Sequence, residues 1–228
     1  MRIGSGRAVG LVVLALAAAK VVDRAVPGVH VAVGLGLVGC LVVIARTQGL
    51  TAADLGLARS SWATGLRWGA AAAVLVGAAY ALASVIGPVG EALPDGAGGG
   101  LGRTALWTVL VVIPLGTVLP EELAFRGLLL SLLGRRYGLV AGTLLSSGLF
   151  GLWHVVASLG GGTANATMTS VVGADAAGTV LRVIVTVVFT SLAGVVLCGL
   201  RLRSDSLIAP VLAHWTVNGL GVIVAVLA

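Results

Sequence analysis

The chain is organised by its apolar runs. Seven can be marked, over residues 8–23, 28–45, 66–87, 104–133, 138–159, 179–200 and 206–227, separated by polar or glycine-rich stretches. A helix crossing a hydrocarbon core about 30 Å thick needs about 20 mainly apolar residues, the scale of these runs. The pattern predicts an all-α fold, a polytopic transmembrane helix bundle of about seven spans. The fourth run is long enough to be tilted or broken, and Pro114 and Pro120 supply two places for a break. Between the second and third runs, residues 51–65 are less apolar and carry Asp54, Arg59 and Trp62. This segment is expected to lie at the interface, anchored by Trp62 and Trp68.

The first run admits two readings. Arg2, Arg7, the apolar residues 9–19 and the small residues Ala17 to Ala19 imitate a secretory signal peptide. The favoured reading is a retained helix that continues through Lys20, whose ammonium would snorkel to the interface.

Composition supports lipid as the solvent. Of 228 residues, 58% are hydrophobic and 10% charged, against about 25% charged in a soluble domain. Mean hydropathy is +1.12. So little charge cannot cover a water-facing surface, and the length leaves no room for a second soluble domain. The net charge of +6 would raise nucleic acid as a partner for a soluble protein. Here the arginines sit at the ends of apolar runs, which is a topology signal, so no nucleic-acid partner is expected.

Arginine alternates from loop to loop. Arg2 and Arg7 precede the first run, Arg46, Arg59 and Arg67 flank the second loop, Arg135 and Arg136 the fourth, and Arg201 and Arg203 the sixth. The third loop carries Glu91, Asp95 and a glycine run, and the fifth carries Asp175. This places the N-terminus in the cytoplasm. The expectation is an integral, multi-pass protein of a prokaryotic plasma membrane, with membrane lipid as its surroundings.

Several features carry no chemistry. Cys40 and Cys198 lie inside apolar runs without ligand spacing and read as small buried hydrophobes. Gly34-Leu-Gly36-Leu-Val-Gly39 fits G-x-G-x-x-G but lacks the strand and the acidic residue that a dinucleotide site needs. Close helix packing explains it better, as it does Gly65-x-x-x-Gly69. Asn165-Ala-Thr167 has the form of a glycosylation acceptor in an outer loop. No internal repeat suggests a transporter's inverted halves.

Ionisable residues inside a span cost about 2.5–3.5 kcal/mol each even on lenient scales and call for a functional explanation. The fourth run holds Glu121, Glu122 and Arg126, the fifth His154, and the seventh His214 with Asn218. His30 sits at a helix start and reads as interfacial. Helix rise brings the three sets to overlapping depths near mid-membrane. Glu122 and Arg126 are i,i+4 and can pair, while Glu121 points about 100° away and is left available. A carboxylate beside two imidazoles can hold and deprotonate a water, and imidazole or amide N–H groups can stabilise an oxyanion. Taken singly, each residue also has a packing explanation, and Trp153 and Trp215 read as packing residues. The joint pattern at matched depth favours a site.

Pro-Glu-Glu-Leu-Ala-Phe-Arg-Gly-Leu (120–128), Phe-Gly-Leu-Trp-His (150–154) and His-Trp-Thr-Val-Asn (214–218) resemble the motifs E-E-x-x-x-R, F-x-x-x-H and H-x-x-x-N. These belong to the CAAX prenyl protease and bacteriocin-processing (CPBP, or Abi) family of intramembrane endopeptidases. The resemblance covers about residues 103–227, and suggests N-terminal helices and an interfacial segment over 1–102 with a catalytic helical core over 103–228. It implies an endopeptidase acting on membrane-associated peptide or protein substrates, CAAX-like, lipidated or signal-type. By motif, Glu121 would be the general base and His154 would help hold the water. His214 and Asn218 would stabilise the oxyanion, with Glu122 and Arg126 ordering the site. No cofactor is expected. The alternative is a catalytic zinc near Glu121, His154 and His214. Two rival functions stay open: a proteolytically silent immunity or scaffold protein of the same family, and a transporter using Glu and His at the midplane.

Overall fold

A computed structural model describes residues 5–85, 102–159, 169 and 171–227. The glycine run with Glu91 and Asp95, the Asn165-Ala-Thr167 sequence and Arg2 lie outside the described residues. Seven principal helices follow the apolar runs: α1 (Ser5–Ala25), α2 (His30–Thr47), α3 (Trp62–Val85), α4 (Arg103–Tyr137), α5 (Leu139–Ser158), α6 (Ala176–Ser204) and α7 (Ile208–Leu227). No strand occurs among the described residues. The fold is an all-helical, polytopic bundle.

Six of these helices, α2 to α7, are long and apolar enough to cross a membrane. The sequence suggested about seven spans. In α1, Arg7 at one end and Lys20, Asp23 and Arg24 at the other leave only residues 8–19 free of charge. That is roughly 18 Å of helix, short of a 30 Å core. Outward-facing positions are apolar: Val74 and Leu75 on α3 are 70% and 71% exposed, and Phe189 and Val196 on α6 are exposed too. Such side chains suit lipid, and they leave the interior to the polar groups.

α3 packs along α7, α6 along α5, and α2 along the first half of α4, which holds the middle of the bundle. The glycine spacings divide. A Cβ on Gly34 would lie 2.6 Å from the Leu115 carbonyl oxygen, so only glycine permits this α2–α4 approach, whereas Gly36 and Gly39 face open space. Gly65 and Gly69 fit against Ser206 and Leu212 of α7, as small-residue packing predicts. Cys198 is buried, but Cys40 is exposed, because it falls on the outer face of α2.

α4 does not break at its prolines. Residues Thr108–Val118 and Leu123–Leu129 wind as π-helix, and Leu119–Glu122 form a single α-turn between them. Proline lacks the N–H for the ladder, and its ring crowds the carbonyl four residues earlier. The wider winding relieves this: the Leu119 N–H reaches back to the Pro114 carbonyl, and Pro120 sits at the start of the α-turn. π segments concentrate at functional sites, and here two of them bracket the glutamate pair.

The segment expected at the interface is held by polar groups from two helices and from the turn between α6 and α7. The Asp54 carboxylate accepts from the Thr51 N–H and hydroxyl, each at 2.7 Å, and pairs with Arg135 at 2.7 Å. Arg201 donates to the Ala53 and Asp54 carbonyls, and the Leu207 N–H to the Gly56 carbonyl. Trp62 and Trp68 are exposed, as anchors would be.

Candidate active site

The glutamate pair lies on the α-turn of α4, and the two side chains leave it in different directions. Glu122 is 0% and Arg126 1% exposed. The Arg126 Nη1 donates to Glu122 Oε1 at 2.9 Å, the i,i+4 pair read from the sequence. His214 of α7 reaches the same oxygen, with Nδ1 2.7 Å from Glu122 Oε1. The predicted convergence of His214 on Glu121 therefore does not occur: His214, Arg126 and Glu122 form one buried charge cluster.

Glu121, 7% exposed, turns to the opposite side. Its Oε1 accepts from the Trp153 indole N–H at 2.8 Å, and its Oε2 has no partner among the described residues. Trp153 is thus more than a packing residue. The sequence did hold a signal for it, since an indole N–H inside an apolar span requires an acceptor. Trp215 has a comparable task, donating to the Val109 carbonyl of the first π segment at 2.7 Å.

Phe150 of α5 is the hub between the two sides. Its ring meets His154 edge-on at 4.6 Å, His214 at 5.8 Å and Phe125 at 5.1 Å, and the Arg126 guanidinium carbon lies 3.9 Å from its centroid. A desolvated cation over an aromatic face is held by about 2 kcal/mol or more, which helps a buried arginine with one hydrogen bond. Among the described residues Arg126 Nε and Nη2 and Glu122 Oε2 have no hydrogen-bond partner, and neither has Glu121 Oε2. Four orphaned polar atoms in one buried region mark a place built to meet something further.

The partners fix the histidine tautomers. His154 stands at a one-residue interruption of α5, and its Nδ1 is 2.8 Å from the Phe150 carbonyl oxygen. A carbonyl only accepts, so Nδ1 carries hydrogen and Nε2 is bare in the singly protonated ring. The Glu122 carboxylate imposes the same tautomer on His214. Asn218, one turn beyond His214, is half-buried and has no hydrogen-bond partner among the described residues.

Glu121 faces a pocket of about 60 Å³, lined also by Lys20, Asp23, His30, Thr117, Pro120 and Trp153. This is room for water and not for a peptide. The pocket lies where α1 runs into α2, towards one end of the bundle rather than at its middle. His154 does not line it. Lys20 does not snorkel away: its ammonium lies 5.1 Å from the centre of the Trp153 ring. His30 is not merely interfacial, since it bonds to Asp23 and Thr117.

A zinc site of two histidines and a glutamate needs its donors about 2 Å from one point. Here Glu121 is engaged by Trp153, and His214 by Glu122. Among the described residues no three His, Cys, Asp or Glu side chains are grouped to hold a metal. The side chains as placed do not fit the zinc alternative.

Residues 103–220 match the family described as type II CAAX prenyl endopeptidase Rce1-like. The match spans just over half of the chain and includes Glu121, Glu122, Arg126, His154, His214 and Asn218. No curated protein and no solved structure matches the chain. With three motifs in order on adjoining helices and this match across them, the chain belongs to the Rce1-like family of membrane proteases.

Proposed function

We propose that the protein is an intramembrane endopeptidase that hydrolyses a peptide bond of a membrane-associated substrate with a water activated by Glu121. The observation that carries this reading is the half-committed Glu121 carboxylate, oriented by Trp153 at one oxygen and without a partner at the other among the described residues, in a side chain that lines a water-sized pocket. The water oxygen attacks the peptide carbonyl carbon while one of its protons passes to Glu121 Oε2. The tetrahedral oxyanion then collapses, the C–N bond breaks, and Glu121 returns the proton to the leaving amine. A charge-assisted or amide N–H stabilises the oxyanion. The Asn218 amide supplies one such group. His214 supplies another when its Nε2 is protonated, with Glu122 as counter-charge. His154 offers its bare Nε2 to an N–H of the bound peptide.

CAAX-like or otherwise lipidated chains are the proposed substrates, by likeness to the family. The arginine-bearing loops favour a cytoplasmic N-terminus. Proteomics of membranes carrying wild type or Glu121→Ala tests the activity. New C-termini with wild type and accumulated precursors with the variant are expected. Identical peptide sets would sink the proposal and favour a binding role. Turnover that survives strong chelation is the expected result for a glutamate-activated water. Loss on chelation with recovery on added zinc would reverse that preference.

A further inference from the structure

The residues that face Glu121 across its pocket come largely from outside the family match. α1 ends with Lys20 and Asp23, α2 begins with His30, and all three precede residue 103. Both Asp23 oxygens lie within reach of His30 Nδ1, at 2.9 and 3.0 Å. His30 Nε2 lies 3.0 Å from the Thr117 hydroxyl oxygen. The fold makes room for this contact, because Gly116 sits directly under the His30 ring, where any Cβ would overlap it.

Donor and acceptor capacity then sets every direction in the chain. A carboxylate accepts, so His30 Nδ1 carries hydrogen, and in the singly protonated ring Nε2 can only accept. Thr117 must therefore donate its single hydroxyl hydrogen to His30. What the Thr117 oxygen still offers is lone pairs. Thr117 precedes Glu121 by four residues on α4, and both line the same pocket. Glu121 Oε1 is occupied by Trp153, and Oε2 is free. Thr117 and Glu121, one turn apart on α4, thus bring two acceptors to one pocket, and a water bonded to both must donate both O–H groups. Its lone pairs are left pointing away from both, free for attack on a carbonyl carbon.

We propose that Asp23, His30 and Thr117 form a positioning chain that orients the hydrolytic water against Glu121. The chain rests on the glutamate-activated-water reading given above. It fills the water-holding role that the motif resemblance gave to His154, which lies off this pocket. It also gives α1 and α2 a part in the chemistry. The competing explanation is a pin that merely fastens the α1–α2 corner to α4.

The test uses the full chain in lipid nanodiscs and an internally quenched farnesylated CAAX peptide, with kcat, KM and Tm measured together. Thr117→Val, which keeps the shape and removes the oxygen, is expected to lower kcat by about tenfold with KM and Tm unchanged. Thr117→Ser should restore kcat. His30→Ala should lower kcat alone but add nothing on top of Thr117→Val, as expected when one residue acts through the other. Thr117→Val with full kcat while Glu121→Gln is inactive overturns the chain and leaves the proposed activity standing. A lowered Tm with unchanged kcat also overturns it, in favour of the pin. Glu121→Gln with wild-type turnover, or a wild type that cleaves neither this peptide nor any membrane precursor, overturns both.

Discussion

Among the described residues two arginines are buried, and they are used differently. Arg201 is 5% exposed and divides its guanidinium among Asp205 at 3.2 Å and the Ala53 and Asp54 carbonyls at 3.3 and 3.0 Å. It closes off backbone acceptors at the end of the bundle and ties the 51–58 turn to α6. Arg126 is 1% exposed and makes one hydrogen bond, to a glutamate that is itself fully buried. Its other donors are unspent, and its face rests on Phe150. Arg201 spends both terminal nitrogens and leaves only its Nε without a partner among the described residues. The other keeps charge and donors in reserve beside an orphaned carboxylate oxygen, as expected where stability is traded against function.

Breaking the Arg126 cluster should have the largest effect. Arg126→Leu strands the Glu122 charge and is expected to lower stability by about 3–5 kcal/mol and abolish turnover. Adding Glu122→Leu should recover much of the stability and none of the activity. Denaturation in nanodiscs and peptide cleavage measure the two separately, and activity in the double variant would refute the functional assignment. At the other arginine, Gly56 has φ +74° and lies against the Arg201 side chain. Gly56→Ala should cost about 1–3 kcal/mol through backbone strain and crowding, leaving turnover per folded molecule unchanged. A changed kcat would show that the clamp reaches the site.

Trp153→Phe sharpens the comparison from within the site. It keeps an aromatic ring but removes the donor to Glu121, so kcat should fall about tenfold and stability by about 1–3 kcal/mol. The smallest effect belongs to the clamp. The Thr51 backbone N–H, then its hydroxyl and Arg135, hold the Asp54 carboxyl below the ordinary 3.8, against a partial burial that pushes it up. A lowered folded-state value stabilises the fold above the unfolded pKa, and that stability is lost as pH drops below about 3.8. For a partly exposed pair the loss is under about 1 kcal/mol. Asp54→Asn should flatten that acid limb of a Tm–pH curve without touching cleavage.

Much of the architecture was legible in the sequence, because hydropathy reports length and lipid contact directly. The seven helices follow the apolar runs, and Glu122–Arg126 follows from helical spacing alone. Such spacing fixes which residues share a face of one helix, but not which neighbouring helix that face meets. Hence His214 was expected at Glu121 and lies at Glu122. His30 was read as interfacial because nothing local shows that α2 crosses α4 at Gly34 and Gly116. The depth estimate assumed uniform α-helical rise, whereas residues 108–118 and 123–129 of α4 wind as π-helix.

That winding acts as a compass for the pair. An α-helix advances about 100° per residue, so the bearing of Glu121 relative to Arg103 depends on how many residues the wider turns of 108–118 absorb. Removing one residue there would leave the apolar character of the span and every motif intact. It would nonetheless swing the carboxylate by about a quarter of a circle, away from Trp153. The aim of the active site is stored as a phase angle, in a mainly apolar stretch whose one polar contribution to the pocket is Thr117.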